Sequence, residues 1–392
     1  MQEGSVVPAT VVTGYACDRQ GKVLVYRLNG LRVLFVVVLA FVGLSYANVI
    51  DGEYLANNIW PCFHAGNIYG LLCSFIFYIK GKRLPPDQRD VGRRAITVDQ
   101  VKHKKEEEED KATKKSSGTK APSTPSPSSS GGVGSFLMDF YAGLEFNPRL
   151  GLFDHKMFLY LVGAVVLECV LVSAAITQYH ALGGRLSLGL TTYLLLFSFF
   201  VAEYMYHEHV HLYTYDLFAE RVGFKLIWGC LCFYPFFYGI GVWPLLARGP
   251  DQQDTTAPHA ALAALCFFGG WALSRGANNQ KYAFKTGPPN APFLGIAPRV
   301  VPGSRILCSG WWGLARHINY LGEILMAIGL ALPGGGAGAG WSALLPWLYP
   351  LYYVALLFPR EREDSRVCEL KYGQAWRDYC RAVPYRIIPY LY

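Results

Sequence analysis

Charged residues and long hydrophilic stretches are scarce in this sequence of 392 residues. Only 16% of the residues are charged, while 52% are hydrophobic and 15% are aromatic. One stretch, residues 81–135, is plainly polar, and elsewhere apolar runs of membrane-spanning length recur. Soluble domains do not carry such runs repeatedly. The composition therefore argues against a soluble protein and predicts a polytopic helical membrane protein.

Several familiar chemical patterns are also missing. The ten cysteines form no CxxC pair and no metal-ligand spacing, and several lie inside apolar runs as small hydrophobes. We therefore expect no structural disulfide and no metal site. No glycine-rich loop follows a strand, which argues against a Rossmann nucleotide site. The first residues do not resemble a cleaved signal peptide. The formal charge of +8 is concentrated in loops, which fits anionic lipid surfaces better than nucleic acid.

The apolar runs divide the chain into four parts. We predict a polar N-terminal segment over 1–30, two transmembrane helices within 31–80, a disordered loop over 81–135 and a membrane core over 136–392. The loop contains KHKKEEEEDKATKK and APSTPSPSSSGG, which cannot bury enough apolar area to order themselves. A regulatory or docking role for this loop is the alternative to a plain linker.

The predicted fold class is all-α, with about eight transmembrane helices. The predicted spans cover residues 31–50, 62–79, 157–177, 186–206, 224–246, 259–274, 324–332 and 341–358. An even number of spans places both ends on one side, which we infer to be the cytosol. Pro235 and Gly239 lie inside the fifth span and predict a kink that opens space for a ligand.

Residues 207–225, HEHVHLYTYDLFAERVGFK, include a possible zinc motif. His207, Glu208 and His211 satisfy the pattern H-E-x-x-H, which would fit a membrane-embedded metalloprotease. The alternative is a polar cap on a membrane helix, and we favour it because such short motifs often match by chance.

Residues 305–323, RILCSGWWGLARHINYLGE, place many different polar groups between apolar runs. Such groups are costly to bury without partners. A guanidinium, an imidazole, an amide, a phenol and a carboxylate together suit a large polar ligand, whereas a juxtamembrane loop with an aromatic belt is the alternative. The C-terminal third adds cations and aromatic rings able to bind phosphates and stack on bases. A basic face that orients the protein in the membrane is the competing interpretation.

Three stretches resemble the membrane sterol reductase family, which includes the Δ14-, Δ7- and Δ24(28)-sterol reductases and the lamin B receptor. They are RILCSGWWGLARHINYLGE, then CELKYGQAWRDYCRAVPYRIIPYLY at 368–392, and Asn147-Pro148-Arg149 followed by Asp154 and Lys156. The resemblance runs from about Tyr26 to residue 392. The family usually has ten helices, so we expect about two helices of its N-terminal half to be missing here.

The resemblance implies an NADPH-dependent oxidoreductase of sterol biosynthesis in the endoplasmic reticulum membrane, with its cofactor pocket on the cytosolic side. A sterol substrate and membrane lipid are the expected partners, and the oligomeric state stays open. The residues that match the family's cofactor positions are Lys281, Lys285, Leu307, Trp312, Asn319, Tyr320, Arg360, Asp364, Cys368, Lys371, Tyr372 and Tyr379.

The implied reaction is the reduction of a sterol carbon–carbon double bond. An isolated alkene accepts hydride poorly, so protonation comes first and requires an acid. Tyr238 matches the tyrosine of the family's Pro-Phe-x-Tyr pattern and is the implied donor, with Asp364 polarising it or relaying protons. The alternative is that Tyr238 only lines the pocket.

The double bond that is reduced is less well defined by the sequence. Cys230 and Glu220-Arg221 depart from residues common in the ring reductases. These departures favour a Δ24(24(1))/Δ24(28) bond slightly over the Δ14 bond. A non-catalytic sterol-binding scaffold and a membrane methyltransferase of related topology are the alternatives to a reductase.

Overall fold

The computed structural model describes residues 7–91, 93, 95–101, 133–249, 253–288, 290–335 and 340–392. In the first part of the chain the elements are β1 (Thr10–Cys17), β2 (Val23–Leu28), α1 (Gly30–Tyr46), α2 (Tyr54–Asn57), α3 (Ile59–Arg83), α4 (Val133–Ala142), β3 (Arg149–Leu150), β4 (Phe153–Asp154), α5 (His155–Ala181) and α6 (Leu188–Tyr206).

In the described residues of the second part, the named elements are all helices, joined by loops. Its α-helices are α7 (Glu208–His211), α8 (Tyr215–Phe218), α9 (Phe224–Trp228), α10 (Tyr234–Phe237), α11 (Val242–Leu246), α12 (Ala257–Thr286), α13 (Ile318–Ala331), α14 (Leu348–Tyr372) and α15 (Gln374–Ala382). A π-helical turn covers Gly229–Phe233, and short 3-10 turns cover Pro86–Gln88, Tyr238–Gly241, Gly310–Gly313, Gly340–Ala343 and Leu345–Trp347.

The helical membrane fold predicted from the sequence is confirmed. In the described residues, five helical segments are long and apolar enough to cross a membrane: Ile59–Arg83, His155–Ala181, Leu188–Tyr206, Phe224–Leu246 and Ala257–Thr286. Helices α1 and α13 are apolar but shorter. The predicted span at 341–358 coincides with α14 only from Leu348, because short 3-10 turns cover Gly340–Ala343 and Leu345–Trp347. Helix α14 then continues beyond the predicted span as a polar helix to Tyr372.

Two compact units divide the chain. The first consists of Met1–Gly43, Asn58–Leu167 and Ala202–Phe236, and the second of Leu44–Asn57, Glu168–Val201 and Phe237–Tyr392.

The first unit begins with a β-hairpin that the sequence analysis did not predict. Strand β1 pairs with β2 in antiparallel register, with Thr10 opposite Leu28 and Thr13 opposite Val25. The turn is stabilised by Asp18, whose Oδ1 accepts hydrogen bonds from the Gln20 and Lys22 amides at 2.9 Å. Residues 10–28 of the predicted polar N-terminal segment therefore form a two-stranded hairpin.

Arg149, from the third family-like motif, holds this hairpin in place. Its guanidinium lies 4.2 Å from the centre of the Tyr26 ring, and its Nη1 donates to the Val25 carbonyl at 2.6 Å. Asp154 pairs with the same guanidinium at 2.9 Å.

The buried Lys156 of this motif binds a different segment, at the end of α8 and just after it. Its ammonium donates to the carbonyls of Leu217 at 2.9 Å and Glu220 at 2.6 Å. A buried ammonium needs such acceptors. The motif therefore joins the hairpin to the loop after α8.

Most of the predicted loop over 81–135, namely residues 102–132, lies outside the described residues. Its described beginning contacts the hairpin and the segment after α4. Arg19 pairs with Asp90 at 2.6 Å, and the Phe146 amide donates to the other oxygen of Asp90 at 2.8 Å. The Cys17 amide donates to the Ile96 carbonyl at 2.8 Å.

The span over 224–246 is irregular, as Pro235 and Gly239 predict. A π-helical turn at Gly229–Phe233 precedes Pro235, and a 3-10 turn begins at Tyr238. Proline lacks an amide hydrogen and its ring clashes with the preceding turn, so the regular hydrogen-bond ladder cannot continue through it.

In the second unit, α12 and α13 pack closely together because small residues line their contact. A Cβ atom on Gly270 would lie 2.5 Å from the Gly322 carbonyl oxygen, and one on Gly322 would meet the backbone nitrogen of Ser274. Glycine permits this approach of two backbones. The prediction of a short span at 259–274 is wrong in extent, because α12 continues to Thr286 and its polar end forms part of the candidate site.

Candidate functional site

The polar end of α12 holds the segment that contains Trp311 and Trp312. The Trp311 amide donates to Gln280 Oε1 at 3.1 Å, and the Trp312 indole donates to the Ala277 carbonyl at 2.8 Å. Gly310 adopts a φ of +61°, and a side chain there would collide with Gln280. The ammonium of Lys281 lies 5.2 Å from the centre of the Trp312 ring. These contacts fix an indole and a cation side by side.

Arg316 and His317 follow, and the C-terminal segment fixes their backbone. The Arg316 amide donates to the Tyr385 carbonyl at 2.9 Å, and the His317 amide donates to the Arg386 carbonyl at 2.7 Å. Both side chains are buried. These two residues lead directly into α13.

The His317 imidazole is neutral at physiological pH. Burial lowers its pKa to about 3, and the positive charges of Lys281, Arg316 and Arg360 act in the same direction. Its ring stacks on Tyr320 with 4.8 Å between ring centres. A neutral histidine surrounded by cations indicates a region built for an anionic ligand.

The polar half of α14 and helix α15 supply the remaining candidate residues. Tyr320 donates a 2.6 Å hydrogen bond to Asp364 Oδ2, and Tyr379 donates to the Trp312 carbonyl at 3.0 Å. Burial raises the pKa of the Cys368 thiol to about 11, partly opposed by Lys281 and strengthened by Asp364. Cys368 is therefore an uncharged packing residue at neutral pH.

Several buried polar atoms of this region have no hydrogen-bond partner within the described chain. They are Asn279 Oδ1, Arg316 Nε, His317 Nε2 and Asn319 Oδ1. Buried polar atoms are normally satisfied, so an orphaned set calls for an explanation such as an ion, a water or a ligand. Donors, acceptors, cations and aromatic faces are all present, and this combination fits a phosphorylated dinucleotide.

The structure brings together most of the predicted cofactor residues. Direct contacts or electrostatic proximity link Lys281, Trp312, Tyr320, Arg360, Asp364, Cys368, Lys371 and Tyr379. Lys285 lies one helical turn beyond Lys281 on α12. Leu307 is buried, Asn319 lies in the first turn of α13, and Tyr372 packs against the cluster of Trp376 and Tyr379.

The predicted proton donor, Tyr238, lies in a separate group of tyrosines. Its ring centre is 5.0 Å from that of Tyr349, 5.9 Å from Tyr352 and 6.3 Å from Tyr353. Asp364 is on the same helix as Tyr353. The eleven positions between them correspond to about 16 Å along the axis at 1.5 Å per residue. Asp364 is thus placed with Tyr320, far along α14 from the tyrosines that surround Tyr238.

These neighbours of Tyr238 were not predicted from the sequence. Tyr349 and Tyr353 have the i, i+4 spacing that places two residues on one face of a helix. In the sequence they stand among other aromatic residues, so their pairing with Tyr238 had no distinct signal.

The residues of the zinc-like pattern make other contacts. His207 pairs with Glu203 at 3.0 Å, Glu208 accepts the Gly30 amide at 2.9 Å, and the His211 ring stacks on Tyr204 at 3.9 Å. Among the described residues, no group of three or more histidine, cysteine, aspartate or glutamate side chains is placed to hold a metal.

Fold and site together define a helical membrane protein in which cationic, aromatic and buried polar side chains come together in the second unit. The sequence model of the Ergosterol biosynthesis ERG4/ERG24 family matches residues 123–392. The chain therefore belongs to that family, which confirms the resemblance found in its motifs.

Individual relatives extend the similarity over the whole chain. The chain is 31% identical to a Delta(14)-sterol reductase of Arabidopsis thaliana over 390 residues, which are 99% of this chain and 92% of that protein. It is 38% identical to Delta(14)-sterol reductase TM7SF2 of Mus musculus over 67% of this chain and 61% of the relative. A Delta(14)-sterol reductase of Methylotuvimicrobium alcaliphilum is 27% identical over 376 residues, which are 95% of this chain and 76% of that protein.

Proposed function

We propose that this chain is an NADPH-dependent sterol reductase of the endoplasmic reticulum membrane that saturates the Δ14 double bond. The names of the relatives support the Δ14 bond over the Δ24(24(1))/Δ24(28) bond that the sequence analysis slightly favoured. The apolar helices support a multi-pass membrane location, where a sterol is available from the surrounding lipid.

One observation carries the cofactor part of this proposal. Buried atoms of Arg316, His317 and Asn319 lack partners at the point where Lys281 and Arg360 concentrate positive charge. Lys281, Lys285, Arg360 and Lys371 would bind phosphates, and Trp312, Tyr320, Tyr372 and Tyr379 would flank the rings. Leu307 and Cys368 would fill the apolar parts of the pocket, and Asn319 would bind through its amide. When bound, NADPH supplies the hydride.

The chain's own residues supply the proton and the geometry. Tyr238 donates its phenolic proton to one alkene carbon, which makes the other carbon able to accept hydride. Asp364 orients Tyr320 through their 2.6 Å hydrogen bond, and Tyr320 in turn orients His317 by stacking. Asp364 therefore acts as a positioning residue of the cofactor pocket in this proposal.

Sterol profiling by mass spectrometry tests the proposal. Cells that lack this protein should accumulate sterols with a Δ14 double bond, and the wild-type chain should restore their saturation with NADPH as the reductant. Accumulation of Δ24(28) sterols would instead favour side-chain reduction. Unchanged sterols would favour the scaffold, and methyl transfer from S-adenosylmethionine would favour the methyltransferase.

A further inference from the structure

A group of buried tyrosines surrounds the proposed proton donor in the second unit. Tyr349 and Tyr353 are 4% and 8% exposed, and both rings contact the Tyr238 ring. The Tyr349 hydroxyl donates to that of Tyr353 at 3.4 Å. This distance is long for a hydrogen bond, as is common for catalytic groups before substrate binds. Three phenolic side chains thus meet in an apolar environment.

A buried phenol that donates a proton must be supplied with another. After donation, the phenolate of Tyr238 would be an uncompensated charge among apolar residues, which is costly. The neighbouring hydroxyl groups can transfer a proton to it only if a further acid supplies them in turn. The structure therefore has to provide a proton source within reach of the tyrosines.

Glu323 is the candidate for this proton source. It lies one turn after Asn319 and Tyr320 on α13. Its Oε1 accepts a 2.6 Å hydrogen bond from the Ser274 hydroxyl of α12. Its carboxyl group is also within electrostatic reach of Tyr353. A carboxyl group between apolar helices is expensive unless it has a function.

We propose that Glu323 returns the proton to Tyr238 through Tyr353, so that these three residues form the proton relay of the reductase. The inference rests on the function proposed above. The Tyr238 Oη–H bond breaks as a C–H bond forms on the sterol. The Tyr238 phenolate then takes the proton of Tyr353, and Tyr353 takes the proton of the Glu323 carboxylic acid. A proton from solvent then restores the Glu323 carboxylic acid, so that each turnover consumes one solvent proton and one hydride.

Asp364 is the competing source, and the structure favours Glu323. Asp364 accepts a 2.6 Å hydrogen bond from the Tyr320 hydroxyl and lies about three helical turns beyond Tyr353 on α14. Glu323, by contrast, is an electrostatic neighbour of Tyr353 itself. The two carboxylates thus have separate tasks, one in the pocket and one in the relay.

Turnover of Glu323→Gln, Glu323→Asp and Tyr353→Phe in lipid nanodiscs, with a Δ14-sterol and NADPH, tests the relay. Glutamine retains an acceptor for Ser274 but cannot carry the proton, whereas aspartate can. We expect Glu323→Gln and Tyr353→Phe to lower kcat by on the order of tenfold or more, with KM for both substrates little changed. Glu323→Asp should restore most of the rate.

Tyr352→Phe is the matched control, because it removes a hydroxyl from another ring 5.9 Å from Tyr238 and should leave kcat unchanged. Protection of each variant by NADPH against heat shows that it is folded. Wild-type kcat in both Glu323→Gln and Tyr353→Phe would overturn the relay alone. A wild-type chain that reduces no sterol would overturn the proposed function as well.

Discussion

At the scale of single residues, burial sets the protonation of the groups that lie outside the membrane spans. His317 and Cys368 are both uncharged at neutral pH because their charged forms are poorly solvated. The fixed charge of the candidate pocket therefore comes from lysine and arginine side chains. This arrangement keeps the pocket positive over the whole physiological pH range.

Glu208 gives a pH-dependent prediction. Burial raises its pKa from 4.5 to about 7, although its hydrogen bond from the Gly30 amide acts in the opposite direction. The folded state thus binds a proton more tightly than the unfolded state, so this contribution to stability is complete below pH 4.5 and is lost as pH rises through 7. Its size is at most on the order of 3 kcal/mol.

We expect the thermal midpoint of Glu208→Gln to depend less on pH between 4.5 and 7 than that of the wild type. Thermal unfolding in detergent at a series of pH values measures this difference. Parallel curves for the two proteins would contradict the assignment.

Tyr238→Phe tests the proposed acid directly. Loss of a general acid typically costs about 10²–10⁴-fold in rate, and we expect kcat to fall within that range. NADPH binding should stay intact, because the structure places Tyr238 among Tyr349, Tyr352 and Tyr353 and not with the cofactor residues. Full turnover in this variant would show that Tyr238 only lines the pocket.

At the scale of elements, the long apolar helices follow directly from the sequence. The predicted spans 157–177 and 186–206 correspond closely to α5 and α6, because continuous apolar chain in a membrane forms helix. Helix α12 exceeds its predicted length for a physical reason. Its polar residues Ser274 and Gln280 are satisfied by Glu323 and Trp311, and such distant partners cannot be read from local composition.

The sequence contains a signal for the hairpin of β1 and β2, although no hairpin was predicted from it. Apolar residues recur in TVVTGYAC and VLVYRL, and Asp18 and Gly21 stand in the turn between them. Most of the candidate cofactor residues could be assigned from motif resemblance. Arg316 and His317 also stood out in the sequence as polar residues between apolar runs. Gln280, and the backbone contacts of Arg316 and His317 with the C-terminal segment, emerge only from the packing.

The glycine contact between α12 and α13 gives a prediction for these elements. Gly322→Val would push a side chain into the backbone of Ser274 and Gly270, so the helices would have to separate. We expect a loss of about 1–3 kcal/mol of stability and a loss of NADPH binding. Gly269→Ala is the control, because nothing lies within 4 Å of the added atom. Equal thermal midpoints for the two variants would contradict the packing argument.

At the scale of the whole molecule, the proposed cofactor should stabilise the folded chain. A ligand at a hundred times its Kd adds about 2.7 kcal/mol. We therefore expect NADPH to raise the thermal midpoint of the intact protein, and NADH to raise it less, since the lysine and arginine side chains favour the additional phosphate. Lys281→Ala should reduce the shift. Identical curves with and without NADPH would contradict the assignment of this pocket.

Helix α12 carries a consequence for the lipid in which the protein works. Its 30 residues form one continuous helix of about 45 Å, with Leu262 and Leu265 exposed on its apolar part and Lys281 and Lys285 near its end. A bilayer thicker or thinner than its apolar length makes such a rod tilt. Because Lys281 and Lys285 lie on the same helix, we expect a change in bilayer thickness to shift the position of both ammonium groups.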